Sequence, residues 1–139
     1  MTINQTIISL ILKDYPTTQA VYLFGSWGTE DKWTHSDIDV ALLLPVAQVK
    51  CINIWQWIAL AQTIASAAGK EKADLINLRT VNTVLRKEVI MAERRIYCAD
   101  EMAADEFEML TLSFYQQLQS ERKFIIEEAV KSGRFRYVR

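Results

Sequence analysis

Apolar positions along this chain follow two alternating periods, and the alternation sketches a fold before any chemistry is considered. Over residues 3–13, Ile3, Ile7, Leu10 and Ile11 recur at spacings of three and four, the stripe of an amphipathic helix closed by Pro16. Residues 20–24 are a compact apolar run stopped by Gly25, which predicts a buried strand entering a turn. A polar loop leads to residues 37–44, rich in branched apolar side chains and stopped by Pro45, the mark of a second strand. Helical spacing returns over residues 48–68, where Ile54, Trp57, Ile58, Ala61, Ile64 and Ala65 lie along one side and Gly69 supplies the stop. In residues 73–78, Asp74, Ile76 and Leu78 share one face of a short strand, and Leu75 and Asn77 take the other. Residues 81–94 predict a helix and 96–98 a brief extended piece. Asp100 then caps a long final helix with an inner stripe of Ala103, Phe107, Leu110, Phe114, Leu118, Ile125 and Ala129, ended by Gly133 and a basic tail.

Composition narrows the class. A chain of 139 residues, 50% of them hydrophobic, can fill one sizeable core, so a single domain over 1–139 is expected, with a core at 1–98 and the final helix and basic tail at 99–139. A formal net charge of −1 excludes a globally basic nucleic-acid binder, and direct nucleic-acid binding is not expected. Cys51 and Cys98 show no CxxC spacing and the N-terminus lacks a secretory signal, so a reduced, cytoplasmic protein with both thiols as buried packing groups is the expectation. No apolar run approaches the ~20 residues needed to cross a bilayer, so no membrane partner is expected.

Glycine is scarce, and two of the four copies, Gly25 and Gly28, fall in the loop between the first two predicted strands, where the backbone must turn sharply or approach a ligand. Ten residues after Gly25-Ser26 comes Asp37-Ile38-Asp39, at the opening of the second strand. Alternate side chains of a strand share a face, so Asp37 and Asp39 point the same way and bring two anions together. Such a pair is tolerated when a cation sits between the groups, and hard oxygen ligands suit Mg²⁺ completed by waters and substrate phosphates. Gly25 lets main-chain N–H groups approach phosphate oxygens, and the Ser26 hydroxyl can donate to the same group. Asp74 supplies a third carboxylate if its strand pairs with the second, where it would hold the catalytic metal and accept the proton of an attacking hydroxyl. Asp37 and Asp39 would then bridge two ions and Asp74 serve one. A Ser-Asp-x-Asp stretch alone also suits a simple turn at a strand start; the glycine-serine bend before it and the third acid after it favour chemistry.

Gly25-Ser26, Asp37-Ile38-Asp39 and the downstream run Ala73-Asp74-Leu75-Ile76-Asn77-Leu78 resemble the polymerase-beta superfamily of nucleotidyltransferases, and most closely its minimal (MNT) members, many of them antitoxins of HEPN/MNT toxin–antitoxin pairs. Leu85-Arg86-Lys87-Glu88-Val89-Ile90 and Ile96-Tyr97 extend the similarity over nearly the whole chain. The resemblance implies an α+β fold with a small twisted mixed sheet flanked by helices, two Mg²⁺ ions, ATP as donor, and adenylylation of a tyrosine on a cognate HEPN ribonuclease toxin held in a hetero-oligomer. It departs from the family at Trp27 and Gly28, where an arginine usually follows Gly-Ser and a glycine comes a few residues later. Two rivals stand beside this reading: a non-catalytic antitoxin that occludes its toxin, and a nucleotidyltransferase acting on a small-molecule hydroxyl. The remaining candidates are His35 near a phosphate, Trp27 and Trp33 stacking on a base or partner, Arg86 and Lys87 against triphosphate charge, and the tail Arg134, Phe135, Arg136, Tyr137 and Arg139 as a partner grip. Each has a plainer alternative as loop, core cover, solvated helix face or loose end.

Overall fold

The computed structural model describes residues 2–25 and 37–131. Ser26, Trp27, Gly28, Trp33, His35 and the tail from Gly133 lie outside the described residues.

Helix α1 (Ile3–Asp14) opens on a capping box in which Thr2 and Gln5 satisfy each other's backbone N–H groups, and it buries Ile7 and Ile11. Strand β1 (Ala20–Phe24) pairs antiparallel with β2 (Ile38–Leu43). A short 3-10 turn (Val46–Cys51) precedes helix α2 (Ile54–Ala67), which returns the chain for β3 (Ala73–Asn77) to run parallel to β2. A parallel pair needs such a crossover, and α2 provides it. Helix α3 (Thr83–Met91), strand β4 (Arg95–Cys98) and helix α4 (Glu101–Lys131) complete the order. The sheet reads β3-β2-β1-β4, mixed and four-stranded, so β2 is an inner strand and β3 an edge.

Strand alternation divides the core into two layers. Val21, Leu23, Val40 and Leu42 face α1 and α2, where they meet Ile7, Ile11, Leu60 and Ile64. Ala20, Tyr22, Ala41 and Leu43 face the other way and meet Val89, Ile90, Ala104 and Phe107 of α3 and α4. Asp39 precedes Ala41 and Asp74 precedes Ile76 by one alternation, so both acids belong to the α3/α4 side of the sheet. A polar network also fastens α4 to that side: Tyr22 Oη donates to Glu108 Oε2 at 2.8 Å, and Arg95 Nη1 reaches Glu108 at 2.7 Å and Asp105 at 3.1 Å. Burial and the Glu108 carboxylate push the Tyr22 hydroxyl well above its ordinary range, so the phenol stays a donor.

Four expectations are corrected. The second helix begins at Ile54 rather than residue 48, because Asn53 caps it, accepting from the N–H groups of Trp55 and Gln56, and the chain before it winds as a tighter 3-10 turn. In this helix Ile54 and Ile58 are exposed, and the buried residues are Leu60, Ile64 and Ala65. The inner stripe of α4 is Ala104, Phe107 and Thr111 near its start, with Ala129 buried far along it. Leu110, Phe114 and Ile125 are exposed, because the sheet spans only the first turns of a helix that is about 46 Å long at ~1.5 Å per residue. Cys51 is exposed and Cys98 half-buried, so neither thiol is a fully buried packing group. No helix among the described residues is long and apolar enough to cross a membrane.

Leu42 is fully buried at the centre of the sheet. Leu42→Ala should cost about 3 kcal/mol and lower Tm by about 10 °C in a thermal melt followed by circular dichroism.

Candidate active site

The acids are brought together by register. Asp39 lies opposite Phe24 on one side and opposite Asp74 on the other. Parallel pairing of β2 with β3 therefore places the expected third carboxylate directly beside the second, although the whole α2 crossover separates the two along the chain. Asp37 stands two residues before Asp39, half-buried at the mouth of the strand. Asp39 is half-buried and Asp74, on the edge strand, is exposed.

The electrostatics follow from this packing. Burial, the neighbouring charge of Asp74, a side-chain hydrogen bond with Asp74 and the charge of Asp37 together push the Asp39 carboxyl up to about 6. Two carboxylates can share a hydrogen bond only when a proton lies between them, and a divalent cation in the same place would remove both the proton and the repulsion. Among the described residues no group of three or more His, Cys, Asp or Glu side chains stands close enough to hold a metal ion unaided. The Asp39–Asp74 pair, with Asp37 nearby, suits Mg²⁺, a hard cation that binds carboxylate oxygens and completes its shell with waters and substrate phosphates.

Gly25 completes the described part of the site. It follows Phe24, the partner of Asp39, and adopts a φ of 72°. A Cβ there would collide with Asp39 Oδ2, so a side chain would strain the backbone and push the acid aside. The bend thus rides directly on the carboxylate, and whatever its backbone cradles is held against Asp39. Ser26, the other expected phosphate ligand, lies outside the described residues.

One contact escaped the sequence reading. Arg94 Nη1 donates to the Gly25 carbonyl at 3.2 Å, and its own carbonyl accepts from the Leu23 N–H at 2.9 Å. Glu93, a non-glycine residue with a φ of 55°, turns the chain from α3 toward β4 and delivers Arg94 to this position. Burial lowers the Arg94 guanidinium from its ordinary value, and it remains a cation near the bend. No spacing rule signals it, because the contact joins residues 69 apart through the pairing of β1 with β4. Arg86 and Lys87, considered as triphosphate ligands, are engaged elsewhere: Arg86 donates to the Arg79 carbonyl, and Lys87 meets Glu88 and the ring of Tyr115.

Because its carboxyl is raised, folded Asp39 holds a proton more tightly than the unfolded chain does between about pH 4 and 6. Stability of the metal-free protein should therefore rise as pH falls from 7.5 through 6 toward 5. Asp39→Asn should melt higher than the wild type at pH 7.5, with the difference shrinking as pH falls through 6 and closing near pH 4; a difference independent of pH counts against the acid pair. Gly25→Ala should lower Tm and weaken nucleotide binding measured by calorimetry, since its methyl displaces the Asp39 carboxylate.

Residues 5–102 match the polymerase beta nucleotidyltransferase family. The chain is 36% identical over 124 residues, covering 89% of its length and 85% of the relative's, to the protein adenylyltransferase MntA of Shewanella oneidensis. It is similar to a crystal structure of a toxin–antitoxin with AMP-PNP at a TM-score of 0.72 and 32% identity, covering 91% of this chain and 98% of that one. It is also similar, at a TM-score of 0.68 and 32% identity over 92% of this chain and 96% of that one, to a structure of tri-AMPylated Shewanella oneidensis HEPN toxin in complex with MNT antitoxin. With most of its length matched, and its mixed sheet carrying paired acids beside a glycine bend, the chain belongs to the polymerase beta nucleotidyltransferase family.

Proposed function

We propose that this chain is an antitoxin that transfers AMP from Mg-ATP to a tyrosine hydroxyl of a cognate HEPN ribonuclease toxin. The observation that carries the reading is the pairing of Asp39 with Asp74 across β2 and β3, with Gly25, just past the end of β1, lying against Asp39. Its direction toward a protein substrate is supported by the kinship with a protein adenylyltransferase and by the AMPylated HEPN toxin in a related complex.

In this reading the Gly25-Ser26 bend binds the triphosphate through its backbone and hydroxyl, and Arg94 fixes the bend by holding the Gly25 carbonyl. Asp37 and Asp39 would hold two Mg²⁺ ions, and Asp74 one of them; such ions, when bound, neutralise phosphate charge and polarise the α-phosphorus. The tyrosine oxygen attacks that phosphorus in line, the bond to the β-phosphate oxygen breaks, and pyrophosphate leaves. Asp74 takes the hydroxyl proton. Its place on the edge strand suits that role, because an acceptor on another protein can approach it from the open side. An AMP group on the toxin adds bulk and negative charge beside a site that must receive RNA, which opposes substrate entry both sterically and electrostatically. Single-domain organisation over 1–139 and a cytoplasmic setting accompany this proposal.

The family kinship together with this acid geometry favours catalysis over simple occlusion, and the 85% coverage of a protein-modifying relative favours a protein acceptor over a small molecule. Incubation of the purified chain with labelled ATP, Mg²⁺ and its cognate HEPN toxin should label the toxin. Asp39→Asn should reduce labelling at least about a hundredfold, because a metal ligand supports several kcal/mol of transition-state stabilisation. Asp74→Asn should abolish transfer while weakening nucleotide binding less than Asp39→Asn. Full toxin neutralisation in cells by folded Asp39→Asn would sink the catalytic reading in favour of occlusion.

A further inference from the structure

A second concavity, of about 360 Å³, lies beyond the far ends of β2 and β3, between the 3-10 turn and helices α3 and α4. Leu44 is five residues from Asp39, about 17 Å along a strand at ~3.3 Å per residue, so this pocket is well removed from the acids. Its floor is cationic. Arg79 Nε donates to the Leu44 carbonyl and Arg79 Nη2 to Gln19 Oε1 at 2.9 Å; Arg86 Nη2 donates to the Arg79 carbonyl at 2.7 Å. These bonds bring both guanidiniums over the ring of Phe107, at 5.6 and 5.3 Å.

The charges on this floor meet no carboxylate in ion-pair contact among the described residues. Among the described residues neither arginine forms an ion pair within 4.0 Å, and Glu106 on α4 acts on Arg79 only through space. Arg86 Nε is buried with no acceptor. Exposed Lys50 adds a further cation at the edge. Half-buried like charges with an unused donor are costly, and an anion placed among them would recover that cost. The rim is of opposite character: Val46 is 70% exposed, Leu110 48% and Phe114 55%. A free small anion would leave this apolar rim unused, and an apolar ligand would leave the arginines unanswered. A carboxylate carried on a protein surface among apolar neighbours uses both.

We infer that this pocket is an exosite that receives an aspartate or glutamate side chain, with its flanking apolar residues, of the protein substrate; the inference rests on the protein-adenylylating reading above. Docking there fixes the partner at a point remote from the acids and raises the local concentration of its acceptor hydroxyl at Asp74.

Binding of the cognate HEPN toxin to the full chain, measured by calorimetry without ATP, tests the exosite separately from transfer. Lys50→Glu with Phe114→Ser, both at exposed positions, should raise Kd at least tenfold and flatten its dependence on NaCl, and Arg86→Gln should also raise Kd. Mg-ATP binding should be unchanged in each. Trp55→Ser, at an exposed position on α2, should bind the partner as the wild type does. Wild-type partner affinity in the pocket variants, equal weakening by Trp55→Ser, or no partner binding at all overturns the exosite. Pocket-dependent binding without labelling keeps the exosite and removes the transferase reading; labelling with pocket-independent binding does the reverse.

Discussion

The repulsion between carboxylates gathered at one end of the sheet is the constraint on which the rest of this structure turns. Asp39 is an inner-strand residue whose carboxyl is raised to about 6 by burial and by Asp74 at its side, and Gly25 lies against its oxygen. A fold organised only for stability would replace such a residue with an apolar one of similar size. Retaining it makes the site poorly satisfied alone and well satisfied when cations and phosphates enter. The surrounding architecture absorbs that cost through two apolar layers, one on each side of the sheet.

The same sheet explains why the site is open where it needs to be. β2 is interior, so Asp39 is held rigidly by strands on both sides; β3 is an edge, so Asp74 is reachable from solvent. Rigid placement of the group that positions the donor, next to an accessible group that meets the acceptor, suits transfer to a hydroxyl on a large partner. Arg94 adds a tie from the opposite edge, so the glycine bend is gripped through β1 by both neighbouring strands.

Helix α4 divides the molecule differently. Its first turns are committed to the core through Ala104, Phe107 and the Tyr22–Glu108–Arg95 network, and beyond them Phe114, Phe124 and Ile125 are exposed. The cationic pocket sits where the committed part ends. Chemistry and recognition are thus assigned to opposite ends of one sheet face, which lets each vary without disturbing the other.

Much of this was legible along the chain, because local rules governed it. Compact apolar runs, one alternating segment and helical spacing located each strand and α-helix of the described residues, and Gly25 marked the bend. Asp100 was identifiable as the cap of α4 and accepts from the Ala103 N–H at 3.0 Å. Local rules failed where a competing local signal won, as with Asn53 starting α2 later than the apolar pattern suggested. They also failed on α4, whose pattern supports a long stripe although the sheet is too short to bury it. Strand order, the Asp39–Asp74 register, the reach of Arg94 to Gly25 and the gathering of Arg79 and Arg86 over Phe107 were decided only by tertiary structure. The reason is physical: spacing along a chain sets which way a side chain faces within its own element, whereas its neighbours across elements are chosen by how whole faces pack.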